Sequence, residues 1–293
     1  MKRTLLAIAT TLLLASSAIA DDGKPPSPGL SFFVNAGAFW ADKNTANFYS
    51  GREGNVNTIY RVLHSNTYGQ QIYDYLKTQD YITDAVGSYQ NLQVVEWADM
   101  YYRTSYQIGL GLRYDYRSGL GWLLRADIAQ LQANSVFNLS TNNGVGILGS
   151  KQYVPFDIFG QEQRISIDAA ITGRLGVTNN IQLEVDLGAS VINTKVKENM
   201  IGIDGRTWSI LDRWNGQTPD YGVGAYDQEI LQGGIGYGVF VSAVVGYSIP
   251  SIGSLKAVYT CYQSQTVLKG YTAWGWQHML GIRAEINNFK IFE

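Results

Sequence analysis

The sequence predicts an all-β chain, an antiparallel up-and-down transmembrane β-barrel of about eight strands with long surface loops. Three observations carry this. Residues 105–116, SYQIGLGLRYDY, alternate without a miss, Gln107, Gly109, Gly111, Arg113 and Asp115 against Tyr106, Ile108, Leu110, Leu112, Tyr114 and Tyr116. Successive strand side chains point to opposite faces, and charges mixed with glycines suit a crowded polar interior better than an open surface. The chain also opens on MKRTLLAIATTLLLASSAIA, with a basic start, an apolar middle from Leu5 to Leu14 and a small-residue close at Ala18-Ile19-Ala20. That is the pattern of a secretory signal peptide cleaved before Asp21; its apolar core is shorter than the roughly 20 residues of a membrane helix. Finally, 32 glycines and twenty tyrosines stand beside only six prolines, and no later apolar run is long enough for a helix to cross a bilayer. Strands, not helices, are then the membrane-crossing elements.

The organisation that follows is a signal peptide over 1–20, a short segment over 21–29 and a barrel over 30–293. A transmembrane strand is about ten residues of dyad alternation, with short turns at one end of the barrel and long loops at the other. The first strand, 30–41, leads into a long loop over 42–98. The second, 99–116, closes at Arg117-Ser118-Gly119. The third, 120–134, sets Trp122, Leu124, Ala126 and Ile128 against Arg125, Asp127 and Ala129, and a second loop covers 135–160. The fourth, 163–177, opposes Ile165, Ile167, Ala169 and Ile171 to Arg164, Ser166, Asp168 and Arg174, then turns at Thr178-Asn179-Asn180. The fifth, 181–195, opposes Leu183, Val185 and Leu187 to Glu184 and Asp186, ahead of a third loop over 196–229. The sixth, 230–249, alternates Val239, Val241 and Val245 with polar and glycine positions and turns at Pro250-Ser251-Ile252-Gly253. The seventh, 254–266, is the least regular. The eighth, 272–288, carries Trp276, Leu280 and Ile282 against Gln277, Arg283 and Glu285 and ends near Phe289 and Phe292.

A lipid-facing surface must be continuously apolar, so the charged faces turn inward. Arg103, Arg113, Arg125, Arg164, Arg174, Lys256 and Arg283 then share the lumen with Asp115, Asp127, Asp168, Glu184, Asp186 and Glu285. These charges nearly cancel, and an eight-stranded barrel is just wide enough for side chains to fill. The expectation is a plugged polar lumen, with glycines 109, 111, 234, 236 and 238 making room for the arginines. Trp and Tyr collect at both membrane interfaces, which assigns Tyr114, Tyr116, Trp122 and Tyr247 to the girdle beside the short turns. Tyr102, Tyr271 and Trp276 fall toward the long loops. From Tyr102 to Tyr114 the strand would rise roughly 30 Å.

With these features the chain resembles the small eight-stranded outer-membrane β-barrel proteins typified by the OmpA transmembrane domain and OmpX. The resemblance rests on the signal peptide, the eight alternating segments, the short turns at Arg117, Thr178 and Pro250, and the aromatic C-terminal end. It implies residence in a Gram-negative outer membrane among its lipids and lipopolysaccharide. Two features depart from it: Glu293 follows Phe292 where such barrels finish on an aromatic, and the first loop is far longer than a hairpin needs.

That loop is where a specific function would live. Val56, Ile59, Tyr60 and Leu63 fall at i, i+3, i+4 and i+7, and Ile72, Tyr73 and Leu76 repeat the spacing, so two short amphipathic helices are expected to cap the barrel. Packing against the rim accounts for them as well as a partner does. The third loop holds Trp208, Asp212, Trp214, Asp220, Tyr221 and Asp227, a carbohydrate or protein contact surface; without a D-x-D-x-D-G pattern no metal is assigned. A net charge of -2 offers no basic patch for nucleic acid, and Cys261 alone supports neither an internal disulfide nor a thiolate metal site. GGIGYG at Gly233 has period two, with Val239 in place of a third fingerprint glycine, so it is a lumen face and not a dinucleotide loop. A lipid-modifying barrel enzyme is the rival class, but His64 and His278 are the only histidines, and neither has a nucleophile at reachable spacing. The sequence thus points to a non-enzymatic barrel without cofactor or metal, plugged, with loops that contact a protein or glycan partner. A small porin with an open lumen is the alternative.

Overall fold

The computed structural model describes residues 29–82, 86–116, 119–140, 153–176, 181–212, 232–249 and 253–287. The expected signal peptide, most of each short turn, the tips of the second and third loops, and Phe289 and Phe292 lie outside them. The strands in chain order are β1 (Gly29–Trp40), β2 (Gln93–Trp97), β3 (Tyr101–Tyr102), β4 (Ser105–Asp115), β5 (Leu120–Ser140) and β6 (Tyr153–Gly176). They continue as β7 (Ile181–Ile203), β8 (Arg206–Ser209), β9 (Gly234–Ile249), β10 (Gly253–Leu268) and β11 (Tyr271–Asn287). Eight of them form a ring in the order β1, β4, β5, β6, β7, β9, β10, β11. β1 closes on β11 in antiparallel register from Ser31 opposite Asn287 to Trp40 opposite His278. Closure pairs the backbone all round, which is the condition for strands in hydrocarbon.

The alternation read from the sequence sets the faces. On β4, Ile108 and Leu110 are more than half exposed while Gln107, Arg113 and Asp115 are buried. Leu110 lies beside Val34 of β1 and Ala126 of β5 in one outward row.

The ring is not level at the long-loop end. β1 and β11 stop at Trp40 and Tyr271, and the last outer connection is a two-residue Lys269-Gly270 turn with Gly270 at φ +68°. β5, β6 and β7 instead run on to Ser140, Tyr153 and Ile203. β2 and β3 carry the line of β4 up the side of β5, and β8 folds back on β7. Much of the expected loops at 135–160 and 196–229 is therefore strand. The reason is a change of solvent. Along β5 the inward residues are Arg125 and Asp127, then Leu131, Ala133, Phe137 and Leu139. The outward ones are Leu124 and Ile128, then Gln130, Gln132 and Asn134. β7 inverts likewise, from outward Leu187 and Val191 to outward Asn193, Lys195 and Lys197. A polar outward face disqualifies a strand in lipid but suits one standing in water.

Inside this tall half sits a cap with its own apolar core. The first loop contributes α1 (Lys43–Ala46), α2 (Ile59–Leu63) and α3 (Tyr68–Thr78), the last two at the helical spacing noted above. Ile59, Leu63, Ile72 and Leu76 are fully buried against Phe137, Ile158 and Ile201 of the strands. Val56 packs at the margin of that cluster, ahead of α2. The Asp42 carboxylate caps α1, accepting from Asn44 N at 2.7 Å.

Candidate functional site

The lumen is built in layers. Nearest the short turns, Glu184 receives Lys256 Nζ at 2.9 and 3.1 Å, Arg174 Nε at 3.1 Å and, in close contact, Arg113. Asp115 takes Arg113 Nε at 2.8 Å and Arg174 Nη2 at 3.0 Å, and Lys256 also contacts Glu285. In a further contact Arg283 Nη2 meets Asp186 at 3.0 Å, with its guanidinium 4.7 Å from the centre of the Phe33 ring. Higher up, Arg125 bridges Asp127 at 2.7 Å and Asp168 at 2.5 Å, and donates to the Tyr262 hydroxyl at 2.6 Å. Asn35 donates to Asp127 at 2.8 Å.

At the mouth the first loop enters the barrel. Arg164 holds Glu162 at 2.6 Å and donates to Gln277 Oε1 at 3.0 Å and to Thr45 Oγ1 at 3.1 Å. Tyr49 from the same loop donates its hydroxyl to Glu162 Oε2 at 2.6 Å. Burial, reinforced by the Glu162 charge, holds the Tyr49 phenol well above its ordinary pKa, so it remains a donor. Between the Arg125 and Arg164 layers the cavity lined by Phe39, Gln107, Asp127, Tyr262 and Gln277 amounts to about 20 Å³, room for about one water.

Arg103 is not part of this interior. Its side chain is exposed, and Tyr102, assigned to the girdle, turns inward beneath Arg164, whose guanidinium lies 5.5 Å from its ring centre. One shift explains both: β4 pairs Gln107 with Ala129, whereas β3 pairs Tyr102 with Ala133, a one-residue slip between the two segments. Such a slip exchanges the two faces. Glu162 of β6, opposite Leu131, joins the buried lumen charges. The described interior then has six cations, Arg113, Arg125, Arg164, Arg174, Lys256 and Arg283, and seven acids, Asp115, Asp127, Glu162, Asp168, Glu184, Asp186 and Glu285. Glu162 shares parity with Arg164, and Tyr262 shares it with Lys256. The period-two signal exists for both, but Glu162 falls between the expected second loop and the fourth strand, and Tyr262 in the least regular strand.

The glycines face other neighbours than arginine stems. A Cβ at Gly111 would enter the Phe33 ring, and one at Gly109 the Asp127 carboxylate; Gly234, Gly236 and Gly238 lie against Val267, Gln265 and Ser264 of β10.

Tyr271 also leaves the girdle. Its hydroxyl donates to Asn44 O at 2.7 Å and its ring packs on the cap core. At the short-turn rim Tyr114 stacks on Trp122 with centroids 6.2 Å apart, beside exposed Tyr116 and Tyr247. At the other rim Trp276 is joined by Trp40, Tyr106, Tyr237 and Trp274. Tyr106 to Tyr116 is ten residues, about 25 Å of rise at a tilt near 40°, the usual height of the apolar band.

The cap is stitched to the segment after β8. Asn57 and Gln232 exchange amide hydrogen bonds at 2.8 and 2.9 Å, and Arg61 pairs with Asp212 at 2.7 Å. Trp214, Asp220, Tyr221 and Asp227 lie outside the described residues, among which no three His, Cys, Asp or Glu side chains are placed to hold a metal. His64 Nε2 is 3.1 Å from Leu92 O, and His278 Nδ1 is 2.9 Å from the Tyr259 hydroxyl on the outer face.

No protein-family profile and no curated protein sequence matches the chain. Among solved structures it is similar to Neisserial surface protein A, at 8% identity over 88% of this chain and 96% of that one, with a TM-score of 0.41. It is similar also to the outer membrane protein OprG from Pseudomonas aeruginosa, at 10% identity over 91% and 100%, TM-score 0.38. A third is Ail, the attachment invasion locus protein of Yersinia pestis, solved with the heparin analogue sucrose octasulfate, at 10% identity over 89% and 99%, TM-score 0.33. At these scores the likeness adds nothing to what the chain's own strand order and apolar belt establish.

Proposed function

We propose that the chain is a non-enzymatic integral outer-membrane barrel, plugged by its own paired side chains, whose cap presents a binding surface to a partner outside the cell. The observation that carries this reading is the inversion of facing along β5 and β7. Below it, Leu110 and Ile171 are each 65% exposed, part of an apolar surface that only lipid would cover. Above it stands a water-facing unit with a packed core, on the side where the long connections of such barrels emerge. Lipid and lipopolysaccharide are then the neighbours of the belt. The layered ion pairs and the small cavity between them support the plug, and the non-enzymatic reading follows from the sequence, where neither His64 nor His278 has a nucleophile at reachable spacing.

A photo-crosslinking residue in place of Lys77, exposed on α3, tests the partner in intact cells. A discrete crosslinked neighbour is expected; none would leave the cap a purely structural element. Lipid A profiles of cells with and without the protein are expected to match, and altered acylation would overturn the non-enzymatic reading.

A further inference from the structure

The cap carries a cleft that the lumen and belt do not account for. It lies between α3 and β8, has a volume of about 610 Å³ and is lined by Gln71, Asp74, Tyr75, Gln79, Arg206 and Trp208, a size in the range of small-ligand sites. Both walls are anchored. α3 buries Ile72 and Leu76 on its other side, and Trp208 packs on the cap core from β8, which is paired to β7. The Arg206 guanidinium lies 4.3 Å from the centre of the Tyr75 ring, and the Tyr75 and Trp208 rings are 6.0 Å apart at 54°.

We infer that this cleft binds a sugar residue bearing a single carboxylate, Arg206 taking the carboxylate and Tyr75 and Trp208 the C–H face of the ring. Two electron-rich aromatic faces at an angle form a platform for the weakly positive C–H groups of a pyranose. An arginine stacked on an aromatic ring has its side chain held while the N–H fork stays available, and that fork matches a carboxylate with two parallel hydrogen bonds. Among the described residues Arg206 forms no ion pair. Asp74 accepts from Gln70 at 2.8 Å on its own helix; with Gln71 and Gln79 it offers acceptors and donors for hydroxyls. One cation and one acid in the same cleft suit a singly charged sugar and disfavour a polyanionic chain.

The inference rests on the reading of the cap as a partner-binding surface. It is tested on the full mature chain in lipid nanodiscs without sugar-based detergent, by fluorescence anisotropy with labelled 3′-sialyllactose, a hyaluronan disaccharide and lactose. At least one of the two acidic sugars is expected to bind ten or more times tighter than lactose. Arg206→Gln is expected to abolish that preference and Arg206→Lys, which keeps the charge but not the fork, to recover only part of it. Thermal unfolding should be the same in all three proteins, since Arg206 is exposed. Equal affinity for lactose, no binding of any sugar, or a preference that survives Arg206→Gln would each overturn the assignment. A neighbour crosslinked at Lys77 without sugar binding would refute the ligand and leave the partner-binding cap standing; the absence of both crosslink and sugar binding would refute both.

Discussion

The lumen and the cap are two interiors of one chain with opposite chemistry. Arg113, Arg125, Arg283 and Lys256 are among the largest fully buried side chains of the lumen, whereas those of the cap include Phe48, Phe137, Ile59, Leu63, Ile72 and Leu76. The difference comes from what lies outside. In the membrane the apolar face is satisfied by lipid, so the interior is left for polar groups, which must then pair with one another. Above the membrane water surrounds the strands, and burial of apolar area organises the interior in the usual way. β5 crosses from one regime to the other between Ile128 and Gln130 without a break in its ladder with β6.

The largest effect is expected at Glu184, where three cations converge. Removing one member of a buried pair leaves uncompensated charge and costs about 3 to 5 kcal/mol, so Glu184→Ala should lower the unfolding free energy of the barrel in lipid vesicles by that amount, read as a lower urea midpoint at unchanged slope. An unchanged midpoint would mean that the lumen charges are hydrated and contribute no stability. In the cap, Ile72→Ala should cost about 3 kcal/mol through the cavity it opens. Its effect should appear as faster proteolysis of the first loop, with the barrel's unfolding in place; loss of both together would make the two interiors one cooperative unit. On the lipid face, Leu110→Arg should cost about 2 to 4 kcal/mol near the midplane, read from the folded fraction after refolding into vesicles. Tyr49→Phe probes the joint between the regions. It removes one hydrogen bond to a buried carboxylate, worth about 2 kcal/mol, and should loosen the first loop in hydrogen exchange while leaving the Glu184 layer protected.

The ring of strands was legible because period two survives wherever charge or glycine faces apolar residues, as in residues 105–116. The upper halves of β5, β6 and β7 were not, because Gln130, Gln132, Asn193 and Lys195 on an outward face look like the end of a transmembrane strand. Arg103 and Tyr102 were assigned to each other's surroundings by a slip of one residue, which leaves no mark in composition or spacing. Lys256 was readable as a lumen cation, while Tyr262 on the same face was lost to the mixed outer face of β10, where Gln263 and Gln265 follow Tyr259. The helices of the cap were legible as helices. Their placement inside the tall strands required the structure.

The proposed plug of paired side chains is tested most directly by single-channel recording of the full mature chain in a planar bilayer. No steady conductance is expected; a stable open level would mean an open lumen and overturn the plug.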